Sequence, residues 1–307
     1  MFSALAHLQV TTQTSRKGTT LAYLVLCVLT TSCFGLCYKV SSRRGCHAPM
    51  VQFSMFVSSA IISALVATFD GGLILNSRVA LTGFGGGVCM SAAVYTFFAA
   101  MSQGGLAVGW TCVNFGVVVP VIASVIIWRE TPSAQQLAGF ALLLPCILLF
   151  ADLRMQVTGD HKRWTILVVI STLLSGGSSV MVKMANDLQN HLPTEVLDAG
   201  NLILTFTTFS YGTAAVLLFL SMKRERISVW SFDAAFGLAM GLFGLVATWT
   251  LIRSLDFLPG IVVFPAKSAG GLVLTAILAV VFWRERLTKR QTCGIVIGAL
   301  SAVLINW

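Results

Sequence analysis

Residues 128–139 read WRETPSAQQLAG and residues 283–294 read WRERLTKRQTCG. Trp-Arg-Glu, a Gln and a Gly recur at the same internal spacing, and the second copy starts 155 residues after the first. Sliding the chain on itself by that offset, with no gap, also aligns Gly105 with Gly260 and Gly116 with Gly271. A different offset pairs Lys39 with Lys183, near the ends of the first and sixth apolar runs. The chain is one unit written twice, and its fold must be read from the unit.

The solvent of that unit follows from composition. Of 307 residues, 56% are hydrophobic and 10% charged, with a mean hydropathy of +0.87, whereas a soluble domain carries about 25% charged residues. Apolar runs of about 20 residues cross a bilayer as helices, because lipid offers no partner to an open backbone. The alternating pattern of a transmembrane barrel is absent. Ten runs can be marked: 20–40, 48–69, 79–101, 106–128, 135–151, 164–184, 199–221, 234–255, 260–282 and 289–307. Five crossings per copy is an odd number, so the second copy enters the membrane from the opposite side. The expected fold is an all-α integral membrane protein, ten transmembrane helices arranged as two inverted five-helix repeats. Its parts are an N-terminal tail (1–19), a first repeat (20–151), a linker (152–163) and a second repeat (164–307). Inverted repeats with a site near the midplane are the architecture of many secondary transporters.

The formal charge of +9 does not point to nucleic acid. The cations cluster between apolar runs, where they meet lipid headgroups and set orientation. Twelve Lys and Arg lie in the odd-numbered loops against four on the other side, which favours both termini outside. Seven of the eight cysteines fall inside apolar runs and only Cys46 lies in a loop. With no CxxC and no Cys/His cluster, they read as small buried hydrophobes, and no metal or cofactor is expected. There is no Walker motif, HExxH, paired-aspartate motif or GxSxG. No span carries a central acidic residue, which disfavours export of cationic drugs.

The stretches FWRERLTKRQTCGIVIGALSAVLI and IWRETPSAQQLAGFALLLPCILL resemble the repeat ends of EamA-type ten-helix proteins of the drug/metabolite transporter superfamily. The resemblance extends over essentially the whole chain. It implies a permease, and by analogy with structurally known relatives it puts both termini in the cytoplasm, against the charge count. The expected location is the plasma (inner) membrane.

Lys267 is the most informative candidate for substrate binding. It lies seven residues past Gly260 in IVVFPAKSAGGLVL, roughly 10 Å into a helix at 1.5 Å per residue. A cation there costs about 2.5–3.5 kcal/mol on insertion scales, so it faces a polar cavity or snorkels to an interface. In related sugar-phosphate and nucleotide-sugar carriers, a lysine at a comparable place contacts anionic groups, which by resemblance favours a substrate bearing a carboxylate or phosphate. Pro265 either frees carbonyls for a ligand or only bends the helix. Trp110, Asn114 and Tyr95 are further candidates, Trp110 and Asn114 flanking Cys112, the residue aligned with Lys267.

Trp128, Arg129 and Glu130, with Trp283, Arg284 and Glu285, are candidate gate or interface residues. Taken singly, each Trp sits at the interface, each Arg reaches headgroups, and each Glu opens the next helix near its positive dipole end. Arg253 and Asp256, three apart, pair as helix neighbours in a terminal bridge or a gate. The glycine pairs Gly237/Gly241 and Gly294/Gly298 are packing faces, for the chain itself or for a homodimer.

These readings point to a secondary transporter moving a small anionic or zwitterionic metabolite, such as an amino acid, by alternating access between the repeats. The partners are that solute and the bilayer, with no nucleic acid, in a monomer or homodimer. A membrane receptor or scaffold of the same fold is the first alternative. An intramembrane enzyme is the second, and it lacks convergent acid, base or metal ligands.

Overall fold

The computed structural model describes residues 2–74, 76–101, 114–150, 160–191, 199–225, 231–283 and 288–306, with side chains left undescribed for residues 2–21 and for a few helix-end residues, Trp283 among them. Ten α-helices follow one another among these residues. They are α1 (Phe2–Arg43), α2 (Ala48–Phe69), α3 (Ser77–Met101), α4 (Val118–Ile126, entered through a 3-10 turn at Phe115–Val117), α5 (Ala134–Phe150), α6 (His161–His191), α7 (Ala199–Glu225), α8 (Ser231–Leu255), α9 (Gly260–Trp283) and α10 (Lys289–Asn306). No strand occurs among the described residues. Segments of α1, α2, α3, α6, α7, α8 and α9 are long and apolar enough to cross a membrane, and Phe115–Ile126 and Ala134–Leu149 are shorter apolar helices. The residues read as an N-terminal tail continue α1 as helical backbone from Phe2.

Local chemistry explains the repeated Gln. Ser133 and Gln136 cap each other, the Ser133 N–H donating to Gln136 Oε1 at 3.0 Å and the Gln136 N–H to Ser133 Oγ at 3.2 Å. Thr288 and Gln291 do the same at 2.9 and 3.3 Å. Both are capping boxes that satisfy otherwise orphaned donors at the starts of α5 and α10.

The repeated Gly has an equally specific use. Ser301 Oγ donates to the Gly139 carbonyl at 2.7 Å, and Cys146 Sγ to the Gly294 carbonyl at 3.3 Å. Residues 139 and 294, like 146 and 301, are equivalent under the 155-residue offset. The α5–α10 contact is therefore made of two copies of one interaction, related by the inverted two-fold. Gly298 belongs to the same interface, where a Cβ would come within 2.9 Å of Cys146 Sγ. Gly237 and Gly241 on α8 let α2 approach until Ser58 and Ser59 donate to their carbonyls at 3.4 and 3.0 Å. Both glycine pairs are thus used within the chain.

Eight helices close a ring. α1 packs on α8, α8 on α2, α2 on α7, α7 on α3, α3 on α6, α6 on α4, α4 on α9 and α9 on α1, while α5 and α10 pair outside the ring against α9. Exchanging each helix for its counterpart five places along maps this ring onto itself. The pairs α1–α8, α8–α2 and α9–α1 become α6–α3, α3–α7 and α4–α6. The halves interleave, so most helices rest on the other half more than on their own.

One end of the ring is plugged. Leu24, Val79, Val182, Leu202, Ile252 and Val263 belong to one buried cluster drawn from α1, α3, α6, α7, α8 and α9. These positions lie at starts of odd-numbered helices or ends of even-numbered ones, which the alternation of the chain brings to the face that carries both termini. At the opposite end, Ala100, Trp164 and Val168 form a small cluster that joins only α3 to its neighbour α6.

Candidate functional site

At the plugged end, α4 stops in a way that aims Glu130 inward. Arg129 adopts φ 53°, and the Glu130 N–H reaches back to the Ser124 carbonyl at 3.1 Å. The bond reaches six residues back, and Arg129 takes the left-handed conformation that helix ends usually give to glycine. Pro132 and the Ser133 cap delay α5 until Ala134, so Glu130 belongs to neither helix. Instead of opening α5, its carboxylate caps α9. Oε1 accepts from the Gly260 N–H and Oε2 from the Ile261 N–H, each at 3.0 Å.

The same carboxylate pairs with Lys183 of α6, whose side chain is 6% exposed against 17% for Glu130. Lys183 Nζ also donates to Ser124 Oγ at 2.9 Å and lies 4.8 Å from the centre of the Trp128 ring. Gly260 leaves room for this contact. A Cβ there would stand 2.5 Å from both Lys183 Nζ and Ser124 Oγ. Trp128 and Glu130 thus turn into the protein, and of the three residues only Arg129 is exposed as an anchor would be.

A second layer lies alongside. Asn186 of α6 donates to Asp256 Oδ1 at 2.5 Å and to the Ile252 carbonyl at 3.4 Å. Arg253 Nη1 sits 3.5 Å from Asp256 Oδ2, and its guanidinium lies 5.5 Å from the Trp249 ring centre. The Arg253–Asp256 pair therefore does more than end a helix, since Asn186 ties it across the ring to α6. Tyr23 packs edge-on to Trp249 and stacks on Phe257 at centroid distances of 5.8 and 6.3 Å. Burial pushes the Asp256 carboxyl above its ordinary value, against the opposing pull of Arg253 and Asn186.

Lys267 stands apart from this network. It is half-buried on α9, next to buried Ala266 and two residues after the kink-permitting Pro265. Among the described residues its ammonium has neither a hydrogen bond nor an ion pair, and the group whose electrostatics it reaches is the Cys27 thiol on α1. One turn along α1 from Cys27, the buried Thr31 hydroxyl faces the Cys27 thiol and has no other hydrogen-bond partner among the described residues. Thr250 of α8 completes the surroundings of Cys27. Three ring neighbours, α1, α8 and α9, thus bring Lys267, Thr31 and Thr250 around the Cys27 thiol.

Other candidates are dispersed. Tyr95 is 48% exposed on α3, which is not a ring neighbour of α9. Asn114 lies at the entrance to the 3-10 turn before α4. Trp110, Arg284, Glu285 and the side chain of Trp283 fall outside the described residues. The partners of Glu130 are what sequence reasoning missed. The repeated Lys39/Lys183 and Gly105/Gly260 positions marked them, but nothing local joined them to the repeated Glu.

Ten helices in an inverted two-fold, seven of them of membrane-crossing length, define a multi-pass integral membrane protein. Residues 162–307, a little under half of the chain, match the sequence model of the EamA-like transporter family. No curated protein matches the chain. A solved crystal structure of a protein shares the fold at TM-score 0.75 and 15% identity, covering 94% of this chain and 96% of that one.

Proposed function

We propose that the protein is a secondary transporter of a small anionic or zwitterionic metabolite, an amino acid or a similar solute, in the plasma (inner) membrane. The observation that carries this reading is the Lys267 ammonium, which has no hydrogen bond or ion pair among the described residues and whose charge reaches the Cys27 thiol, one turn of α1 from the Thr31 hydroxyl. An uncompensated charge at this depth costs about 2.5–3.5 kcal/mol, and a chain retains it where a polar cavity or ligand offsets it. A carboxylate or phosphate supplies the missing counter-charge, and Thr31 supplies a hydrogen bond to a second oxygen.

The solute passes through the ring, and alternating access follows from the inverted two-fold. The plugged end with Glu130 and Lys183 is one gate, and the ends of α1, α3 and α6 frame the other. The interleaved ring favours movement of neighbouring helices from both halves together over rocking of two sequence-contiguous halves.

Purified protein screened against metabolite classes by thermal unfolding gives the test, since a ligand of the folded state raises the melting temperature by mass action. The expected hit is an anionic or zwitterionic solute whose stabilisation disappears in Lys267→Ala and whose flux into proteoliposomes exceeds that into empty liposomes. Hits confined to cationic or neutral solutes contradict the substrate class. Binding without flux favours the receptor reading.

A further inference from the structure

The socket that holds Glu130 has the chemistry of a binding site in its own right. Every group that faces the carboxylate is a donor: the Lys183 ammonium and the N–H groups of Gly260 and Ile261, with Ser124 Oγ turned to the same ammonium. Two adjacent amides at a helix start present two parallel hydrogen bonds, one for each oxygen of a carboxylate, and the helix end adds positive potential. A protonated acid finds no acceptor for its O–H among these groups, so a proton is a poor means of releasing Glu130. Asp187 on α6 reaches the Lys183 ammonium electrostatically, and the Arg253–Asp256 pair is tied to α6 through Asn186, three residues past Lys183.

Withdrawal of Glu130 is mechanically simple, because it sits on the loop between α4 and α5 and not on a helix. It leaves a buried ammonium and two uncapped amides behind. Such a vacancy is filled best by another anion of the same shape.

We propose that the socket of Lys183, Ser124, Gly260 and Ile261 is a carboxylate-binding site with Glu130 as its built-in occupant. A small carboxylate from solution takes the socket when Glu130 withdraws. Opening of the plugged face is then tied to the arrival of an anion. The site differs from the Lys267 site in position and partners, and its occupancy is read by stability alone, so a negative flux assay leaves it standing.

The test uses full-length Glu130→Ala protein, which leaves room for the missing carboxylate, in thermal unfolding with formate or acetate as probe and acetamide as neutral control. The expected result is a saturable rise in melting temperature with formate and acetate but not acetamide. Wild type, its socket filled, gives no such rise, and neither does Glu130→Ala combined with Lys183→Met. Absence of the rise, an equal rise with acetamide, or an undiminished rise without Lys183 overturns the proposal. Purification is run in parallel with and without formate throughout. Recovery that depends on formate supports the site, and failure in both buffers counts against it.

Discussion

Lys183 on α6 and Lys267 on α9 are treated in opposite ways. Lys183 has a carboxylate, a hydroxyl and an indole ring around its ammonium, and that carboxylate also caps a helix from elsewhere in the ring. Lys267 has none of these among the described residues. A buried cation with a full set of partners is a joint: its charge is spent on holding elements together. One that is left without partners is available to something that is not part of the chain. The same side chain is thus satisfied within the chain at one place and left unsatisfied at the other.

The joint is the place for the largest effect on stability. Removing either partner alone, by Glu130→Ala or Lys183→Ala, leaves the other charge buried and is expected to cost about 3–5 kcal/mol, read by denaturation in detergent. The double variant should cost clearly less than the sum, because no stranded charge remains. Additive losses mean that the two groups do not depend on each other.

Gly260→Ala sharpens the same point from the backbone side. Its Cβ would press on Lys183 Nζ and Ser124 Oγ, and overpacking of this kind costs about 1–3 kcal/mol. Gly271→Ala makes the contrast, since a Cβ there meets only Thr31 Cγ2, at the ordinary contact distance of 3.9 Å. A Gly271 variant as unstable as the Gly260 one breaks the distinction.

A smaller effect is expected at the α5–α10 contact. Ser301→Ala removes one of its two symmetry-related hydrogen bonds and should cost about 1 kcal/mol, measured by the shift in denaturation midpoint. Replacing Ser301 by Cys copies the interaction already present at Cys146, so it should recover part of that loss. No recovery removes the functional equivalence of the two repeats at this contact.

Asp256 carries the smallest effect and a pH sign. Its carboxyl is raised by burial, so the folded state holds a proton more readily than the unfolded chain. The resulting stabilisation is complete below the ordinary carboxylate value and is lost as pH rises through the raised one. Asp256→Asn should be neutral or slightly stabilising near pH 7, within about 0.5 kcal/mol, and its advantage should vanish in acid. A variant that is worse at neutral pH and recovers in acid would show that the Arg253 bridge outweighs burial.

Much of the fold was legible because a repeat leaves its mark in sequence. The odd number of runs per copy dictated inversion, and the run boundaries agree with the helices within a few residues outside α1, α4 and α6. The recurring Gln and Gly were visible, but their causes were not: a capping box is local and was overlooked, whereas the Gly139 and Gly294 carbonyls meet partners 162 and 148 residues away. Glu130 failed for the same physical reason. The local rule that an acidic residue favours the next helix start is sound, but Pro132 and Ser133 postpone that helix. The left-handed turn at Arg129 then aims the carboxylate at a helix start 130 residues further along the chain. Lys267 needed no partner to be noticed, and its isolation is the property that sequence alone could not establish.

The most direct test of the contrast places Lys267→Ala and Lys183→Ala side by side, each measured for melting temperature in detergent and for uptake of the screened solute in proteoliposomes. The expected result is that Lys267→Ala melts like wild type and loses uptake, whereas Lys183→Ala melts well below wild type. A Lys267→Ala protein that transports normally, or that loses stability as Lys183→Ala does, contradicts it.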